Sequence, residues 1–124
     1  PNVQPAEFDR GGQDVLKKII PFKPGQISLP SADADPIVAG VVKELDRKEM
    51  KDWRVQIKAY ATPHGTGLSS DRRIALSRAL SLRSTMITQG VPANKIDVMA
   101  EGLQSEGASP PDRIDLYLYG PKDK

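Results

Sequence analysis

Hydrophobic positions along this chain use two spacings, and each change of spacing marks an element. Over residues 15–29 (VLKKIIPFKPGQISL), Ile19, Ile20, Phe22, Ile27 and Leu29 supply apolar contacts, while Pro21, Pro24 and Gly25 exclude a helix. This predicts a first strand, bent at the Pro24-Gly25 turn. Ile37, Val38, Val41, Val42 and Leu45 then recur at helical spacing, which predicts an amphipathic helix ending near Arg47. Ser31 to Asp35 is a helix start signal, within which Asp35 followed by Pro36 reads as an N-cap with proline at the first helical position. From Trp53 the period becomes two: Val55, Ile57 and Ala59 face one side, with Arg54, Gln56, Lys58 and Tyr60 on the other. The segment ATPHGTGLSS has loop chemistry, and its Ser70 is placed to cap the next helix, with Asp71 at that helix's positive end.

A second helix is predicted over 71–89. Its inner ridge is Ala75, Ala79, Leu82 and Met86, flanked by Leu76, Leu80 and Ile87, and the small alanines imply close packing on a sheet. Gly90 is a good residue to end it, with Pro92 just beyond. Ile96, Val98 and Ala100 alternate as a third strand. Ile114, Leu116 and Leu118 alternate with Arg113, Asp115, Tyr117 and Tyr119 as a fourth. The order βαβαββ predicts an α+β two-layer sandwich, with a mixed four-stranded sheet and both helices on one face. Residues 1–14 are expected to be a linker or arm, 15–120 the domain and 121–124 a tail, with the closing GPKDK frayed.

Composition narrows the function classes. With 124 residues and 38% hydrophobic content, one domain with one core is the simplest reading. A net charge of +2 supplies no general attraction to nucleic acid or an anionic membrane. The absence of cysteine excludes disulfides, thiolate metal sites and cysteine nucleophiles. No apolar run approaches the roughly 18 residues of a membrane span, so no insertion by this stretch is expected. The chain opens at Pro1 rather than methionine, as a processed product or fragment would.

Catalytic and metal chemistry find little to stand on. His64 is the only histidine and sits in a loop, with no second ligand at metal-site spacing. The serines at 69, 70, 77, 81 and 84 show no nucleophile-elbow pattern, and no further histidine exists to serve as base. The GTG of Gly65 to Gly67 lacks the lysine of a phosphate-binding loop. Trp53, Tyr60, Tyr117 and Tyr119 are the candidates for stacking on nucleic acid, but at 5% aromatic content that signal is thin. No enzyme, cofactor or metal is expected. The arginines are more informative. Arg72, Arg73 and Arg83 are expected to be solvated or paired with carboxylates such as Asp71. Arg78 precedes Ala79 on the packed ridge and should reach the sheet edge, where a guanidinium can grip a ligand carboxylate with two prongs. A buried ion pair within the domain is the alternative.

The order of these pieces resembles the OmpA-like (OmpA/MotB/Pal C-terminal) peptidoglycan-associated domain family. That family has an apolar strand ending in Gly-Tyr-Thr-Asp, a helix beginning Asn-x-x-Leu-Ser-x-x-Arg-Ala, and a helix end at Gly-Val/Ile-Pro. Here DRRIALSRA and QGVPANKIDVMAEG carry the match, which runs over about 22–118. The resemblance implies a noncatalytic periplasmic module that binds a diaminopimelate-type peptidoglycan stem peptide and is anchored to the outer or inner membrane through a region before Pro1. It places the binding residues at Arg78, Arg113, Thr62, Asp71 and Tyr60. Arg78 and Ala79 match the family's Arg-Ala pair. Arg113 matches the second arginine of its Arg-Arg-Val-Glu strand, whereas Asp112 reverses the charge of the first. Ala59, Tyr60, Ala61 and Thr62 stand where Gly-Tyr-Thr-Asp is usual, so Thr62 replaces the aspartate that pairs with the diaminopimelate ammonium. Asp71 takes the place of the helix-start asparagine. Asp71 or Asp112 is then the candidate source of the missing negative charge.

Two functions follow from the resemblance. One is a wall-binding module that tethers an envelope protein through Arg78 and Arg113. The other is the same scaffold with a degenerate pocket, serving protein–protein contacts within an envelope-spanning secretion or motor assembly.

Overall fold

The structure, a computed structural model, describes residues 12–63, 70–103 and 110–121. Its elements are β1 (Gly12–Pro21), α1 (Ser31–Leu45), β2 (Arg54–Tyr60), α2 (Ser70–Thr88), β3 (Ile96–Gly102) and β4 (Arg113–Pro121), with one-turn 3₁₀ helices at Lys48–Met50 and Ala93–Lys95. The sheet order is β1-β4-β2-β3. β2 and β3 are parallel, while β4 runs antiparallel to both β1 and β2. The last strand therefore inserts between the first two, and the expected mixed sheet in an α+β sandwich is what forms.

Alternation decides the layers. Val55, Ile57 and Ala59 of β2, with Ile114, Leu116 and Leu118 of β4, are buried beneath the helices. Ala75, Ala79, Leu82 and Met86 come down onto them from α2, and the two alanines let the helix sit close to the sheet. β4 is central, so its opposite face is also largely covered: Arg113, Asp115 and Tyr119 are buried there.

Three local expectations shift. β1 starts at Gly12 and ends at Pro21, rather than running to Leu29. Proline ends the ladder, and Lys23 to Gln26 form a turn in its place. Residues 1–11 of the expected arm lie outside the described residues. α1 begins at Ser31 behind Pro30, not at Asp35, and Pro36 lies inside it with no side-chain cap at its start. The extra turn buries Ala34, places Asp33 near the positive end of the helix, and closes on the Pro30 carbonyl through the Asp33 and Ala34 N–H groups. Those gains outweigh the one helical N–H that Pro36 removes. At the other end of the chain, Gly120 and Pro121 belong to β4 rather than to a frayed tail, while residues 122–124 lie outside the described residues.

The stop of α2 is as the sequence implies. Gly90 takes a φ of 106°, the Val91 N–H returns to the Met86 carbonyl and the Gly90 N–H to that of Ile87. This is a Schellman motif, in which only glycine is comfortable at the left-handed position. Ser70 opens α2, but its side chain is outside the described residues.

Trp53 packs flat over Gly120, where an added Cβ would come within 2.3 Å of the indole ring. We expect Gly120→Ala to cost about 1–3 kcal/mol through this overpacking. Denaturant unfolding followed by the fluorescence of Trp53, the single tryptophan, measures it. An unchanged midpoint would rule the contact out as a packing constraint.

Candidate functional site

The site is built around one charge that has no access to water. Arg78 projects from the sheet-facing side of α2 and is 0% exposed. Three segments close around it. Lys23, Pro24, Gly25 and Gln26 make a tight turn, with the Gln26 N–H on the Lys23 carbonyl and Gly25 at φ 81°, the pattern of a type II turn. That turn aims two carbonyls at the guanidinium: Nε donates to Gln26 O at 2.5 Å and NH2 to Lys23 O at 2.9 Å. NH1 donates to the Tyr60 carbonyl at the end of β2 (2.9 Å) and to Asp112 Oδ1 (3.0 Å). Four of the five guanidinium N–H groups are thus used inside the domain. The Phe22 ring lies against the guanidinium at 4.8 Å from its centroid.

Asp112 is the counter-ion, and it is itself held at both oxygens. The Thr62 backbone N–H donates to Oδ1 at 3.0 Å and the Thr62 hydroxyl to Oδ2 at 2.9 Å. Burial pushes the Asp112 carboxyl upward. The Thr62 N–H and hydroxyl, the Arg78 hydrogen bond and the Arg78 charge together outweigh it and hold the group below the usual aspartate range. Chemically this is a carboxylate receptor: one guanidinium, one amide and one hydroxyl converging on two oxygens. Its occupant is the chain's own aspartate. The space left beside Arg78, between Phe22, Leu29, Ala34, Ser81, Leu82 and Thr85, is about 10 Å³, at or below what one water requires.

The residues expected to share one mouth are divided between the two sides of the sheet. Thr62, Arg78 and the Tyr60 carbonyl come together on the helix side. Arg113 alternates with Asp112 and so projects from the opposite face, where it is 3% exposed. There it forks onto Asp115 (Nε–Oδ1 2.8 Å, NH2–Oδ2 3.2 Å), donates to the Pro110 carbonyl and lies 4.0 Å from the Tyr60 ring centroid. Burial, and then the Asp115 carboxylate, raise the Tyr60 hydroxyl pKa. Asp71 is elsewhere again, accepting from the Leu103 N–H at 3.1 Å beyond β3. Neither expected arginine offers a free guanidinium, because each has a carboxylate of this chain within reach.

Sequence reasoning missed the carbonyls of Lys23 and Gln26 as partners of Arg78. The Pro24-Gly25 pair announces the turn, but nothing local says which distant side chain it faces. The loop 64–69, with His64 and the GTG run, and the loop 104–109 lie outside the described residues. Among the described residues no group of three or more metal-ligating side chains assembles, and no helix is long and apolar enough to cross a membrane.

A family model for the OmpA family matches residues 21–114. No curated protein matches the chain. Among solved structures, the OmpA-like domain of FopA1 from Francisella tularensis subsp. tularensis SCHU S4 is 16% identical and superposes with a TM-score of 0.62, over 91% of this chain and 77% of that one. The peptidoglycan-associated lipoprotein from Burkholderia pseudomallei is also 16% identical, with a TM-score of 0.63 over 82% and 90%. The periplasmic domain of Helicobacter pylori MotB is 14% identical, with a TM-score of 0.64 over 87% and 82%. At these identities the likeness is one of fold.

Two predictions follow from the cage. Asp112→Ala strands a buried cation, and its cost should be about 3–5 kcal/mol in denaturant unfolding. A loss below about 1 kcal/mol would mean the pair does not organise the site. The second concerns acid. Asp112 titrates lower folded than unfolded, so its contribution is complete at neutral pH and persists down to about pH 4, where an unfolded aspartate titrates. Below that it is lost as the folded carboxyl takes up its proton. Melting temperatures between about pH 2 and 7 should therefore fall more steeply below pH 4 for the wild type than for Asp112→Asn; parallel curves would contradict this.

Proposed function

Because the chain belongs to the OmpA family, we propose that it is a noncatalytic periplasmic module of the cell envelope that works through contacts with other envelope proteins, its wall-peptide pocket closed by its own Asp112. The observation that carries this reading is the Asp112 carboxylate seated on Arg78 and Thr62. A stem-peptide carboxylate could reach Arg78 only by expelling Asp112. It would give up as much as it gained, since one carboxylate would replace another on the same three donors. The ammonium end of the ligand would also meet Thr62 in place of the aspartate that the family resemblance puts there. A hydroxyl accepts a hydrogen bond but carries no charge, a deficit of about 1.5–3 kcal/mol, or roughly tenfold to a hundredfold in affinity. Arg113, committed to Asp115 on the other face of the sheet, supplies no second grip.

Wall tethering remains the second reading, and one observation favours it: the amide, hydroxyl and guanidinium already converge on a carboxylate with good geometry. The two readings divide on a single sedimentation experiment. Purified diaminopimelate-type sacculi are pelleted with wild type and with a Thr62→Asp, Asp112→Arg double variant, which returns both charges to the family pattern. The wild type should stay in the supernatant. The double variant should pellet and be released by free diaminopimelate. Wild type that pellets and is released by the same competitor would overturn the scaffold reading in favour of the tether.

A further inference from the structure

Among the described residues, the outer side of α2 leaves Leu76, Leu80 and Ile87 exposed. An α-helix turns about 100° per residue, so the helix can be divided by direction. Ala75, Ala79, Leu82 and Met86 point at the sheet. Ser81 and Thr85 line the space shared with Ala34 of α1, and Ser84, Thr85 and Thr88 the space shared with Ser31, Asp35, Pro36 and Ala39. The remaining direction carries Arg72, Arg73, Leu76, Leu80, Arg83 and Ile87, all within an arc of about 100°.

That arc is apolar along its middle and cationic along its length. Leu76, Leu80 and Ile87 keep 42%, 45% and 40% of their surface exposed. Arg72 and Arg73 are exposed and Arg83 half-buried, and among the described residues none of the three makes a hydrogen bond or ion pair. Asp71, the only acidic residue of α2, is turned toward the Leu103 N–H. Leu103, held there, is itself 50% exposed. A solvated helix face normally mixes both signs of charge. Here three like charges border the row of Leu76, Leu80 and Ile87.

We infer that this arc of α2 is a docking surface for an acidic amphipathic helix of a partner protein, a proposal that rests on the scaffold reading above and names its partner class. Shape and charge each select the occupant. Leu76 to Ile87 spans about 16 Å, three turns, and such a ridge seats the ridge of another helix. A helix surface has no unpaired backbone groups along its side, so an added strand would find nothing to pair with. A second copy packed stripe to stripe would set arginines against arginines. Glutamates or aspartates flanking an apolar seam would meet Arg72, Arg73 and Arg83 across it, giving attraction that weakens as salt rises.

The test uses the whole chain and two fluorescein-labelled helical peptides of 18 residues. They share one leucine seam at i, i+4, i+7 and i+11, flanked by glutamates in one and lysines in the other. The acidic peptide should bind wild type at least tenfold more tightly than the basic one, and the preference should shrink on raising salt. An Arg72→Glu, Arg73→Glu, Arg83→Glu variant should reverse the preference, and Leu76→Asn with Leu80→Asn should abolish binding of either peptide. Circular dichroism and melting temperature confirm that each variant is folded. Equal binding of the two peptides, or binding that survives the asparagine pair, overturns the proposal. So does flotation of wild type with phosphatidylglycerol vesicles in the absence of acidic-peptide binding, which would assign the face to a lipid surface. So does a concentration-dependent dimer that the leucine substitutions dissolve. Sacculus sedimentation of the same proteins judges the scaffold reading separately. Wild type that binds both the acidic peptide and sacculi leaves this surface standing while that reading falls.

Discussion

A guanidinium cut off from water has to be neutralised and hydrogen-bonded by whatever folds around it, and in this domain that requirement falls on Arg78. Four N–H groups are satisfied by three segments far apart in sequence: the 23–26 turn, the end of β2 and the start of β4. An isolated buried charge costs several kcal/mol, so these segments must close together or not at all. The ion pair with Asp112 therefore acts as a register mark. It fixes where the β1–α1 connection crosses α2, and it fixes how β4 enters the sheet. Thr62 extends the same constraint, because its N–H and hydroxyl hold the Asp112 carboxylate from the other side.

The same geometry satisfies the Arg78 guanidinium from within the chain. The family resemblance places an aspartate where Thr62 stands and an arginine where Asp112 stands. Those two positions touch across the sheet end, where Thr62 donates to both oxygens of Asp112. In this chain the negative charge sits at position 112, on the Arg78 guanidinium. On the opposite face, Arg113 and Asp115 repeat the arrangement on one strand, two residues apart, with the Tyr60 ring alongside. Both arginines that could have gripped a partner are spent on the domain itself. Arg72, Arg73 and Arg83, by contrast, lie on the outside of α2, beside the exposed Leu76, Leu80 and Ile87.

Much of this architecture is written in local pattern. Period two in 54–60 and 113–119, the alanine ridge at 75 and 79, and the Gly90-Val91-Pro92 stop each depend on neighbours within a turn or a strand. Side-chain direction follows from backbone geometry alone, so these elements are predictable without knowing what they pack against. Where local signals competed, tertiary gain decided. Asp35-Pro36 has the form of a helix start, yet burying Ala34 made an earlier beginning at Ser31 more favourable.

The site was only half legible for the same reason. By itself the sequence determined which groups carry charge, that Arg78 lies beside the sheet-facing ridge, and that positions 62 and 112 depart together from the resembling pattern. It could not determine what Arg78 meets, because its partners lie 18 to 55 residues away and pair only once the last strand inserts between the first two. Strand insertion sets Asp112 inward and Arg113 outward, and that alternation separated two arginines that a linear reading had put in one pocket. Local covalent geometry is enough to specify elements; which charge neutralises which is a property of three-dimensional closure, since Coulomb attraction and burial act through space and not along the chain.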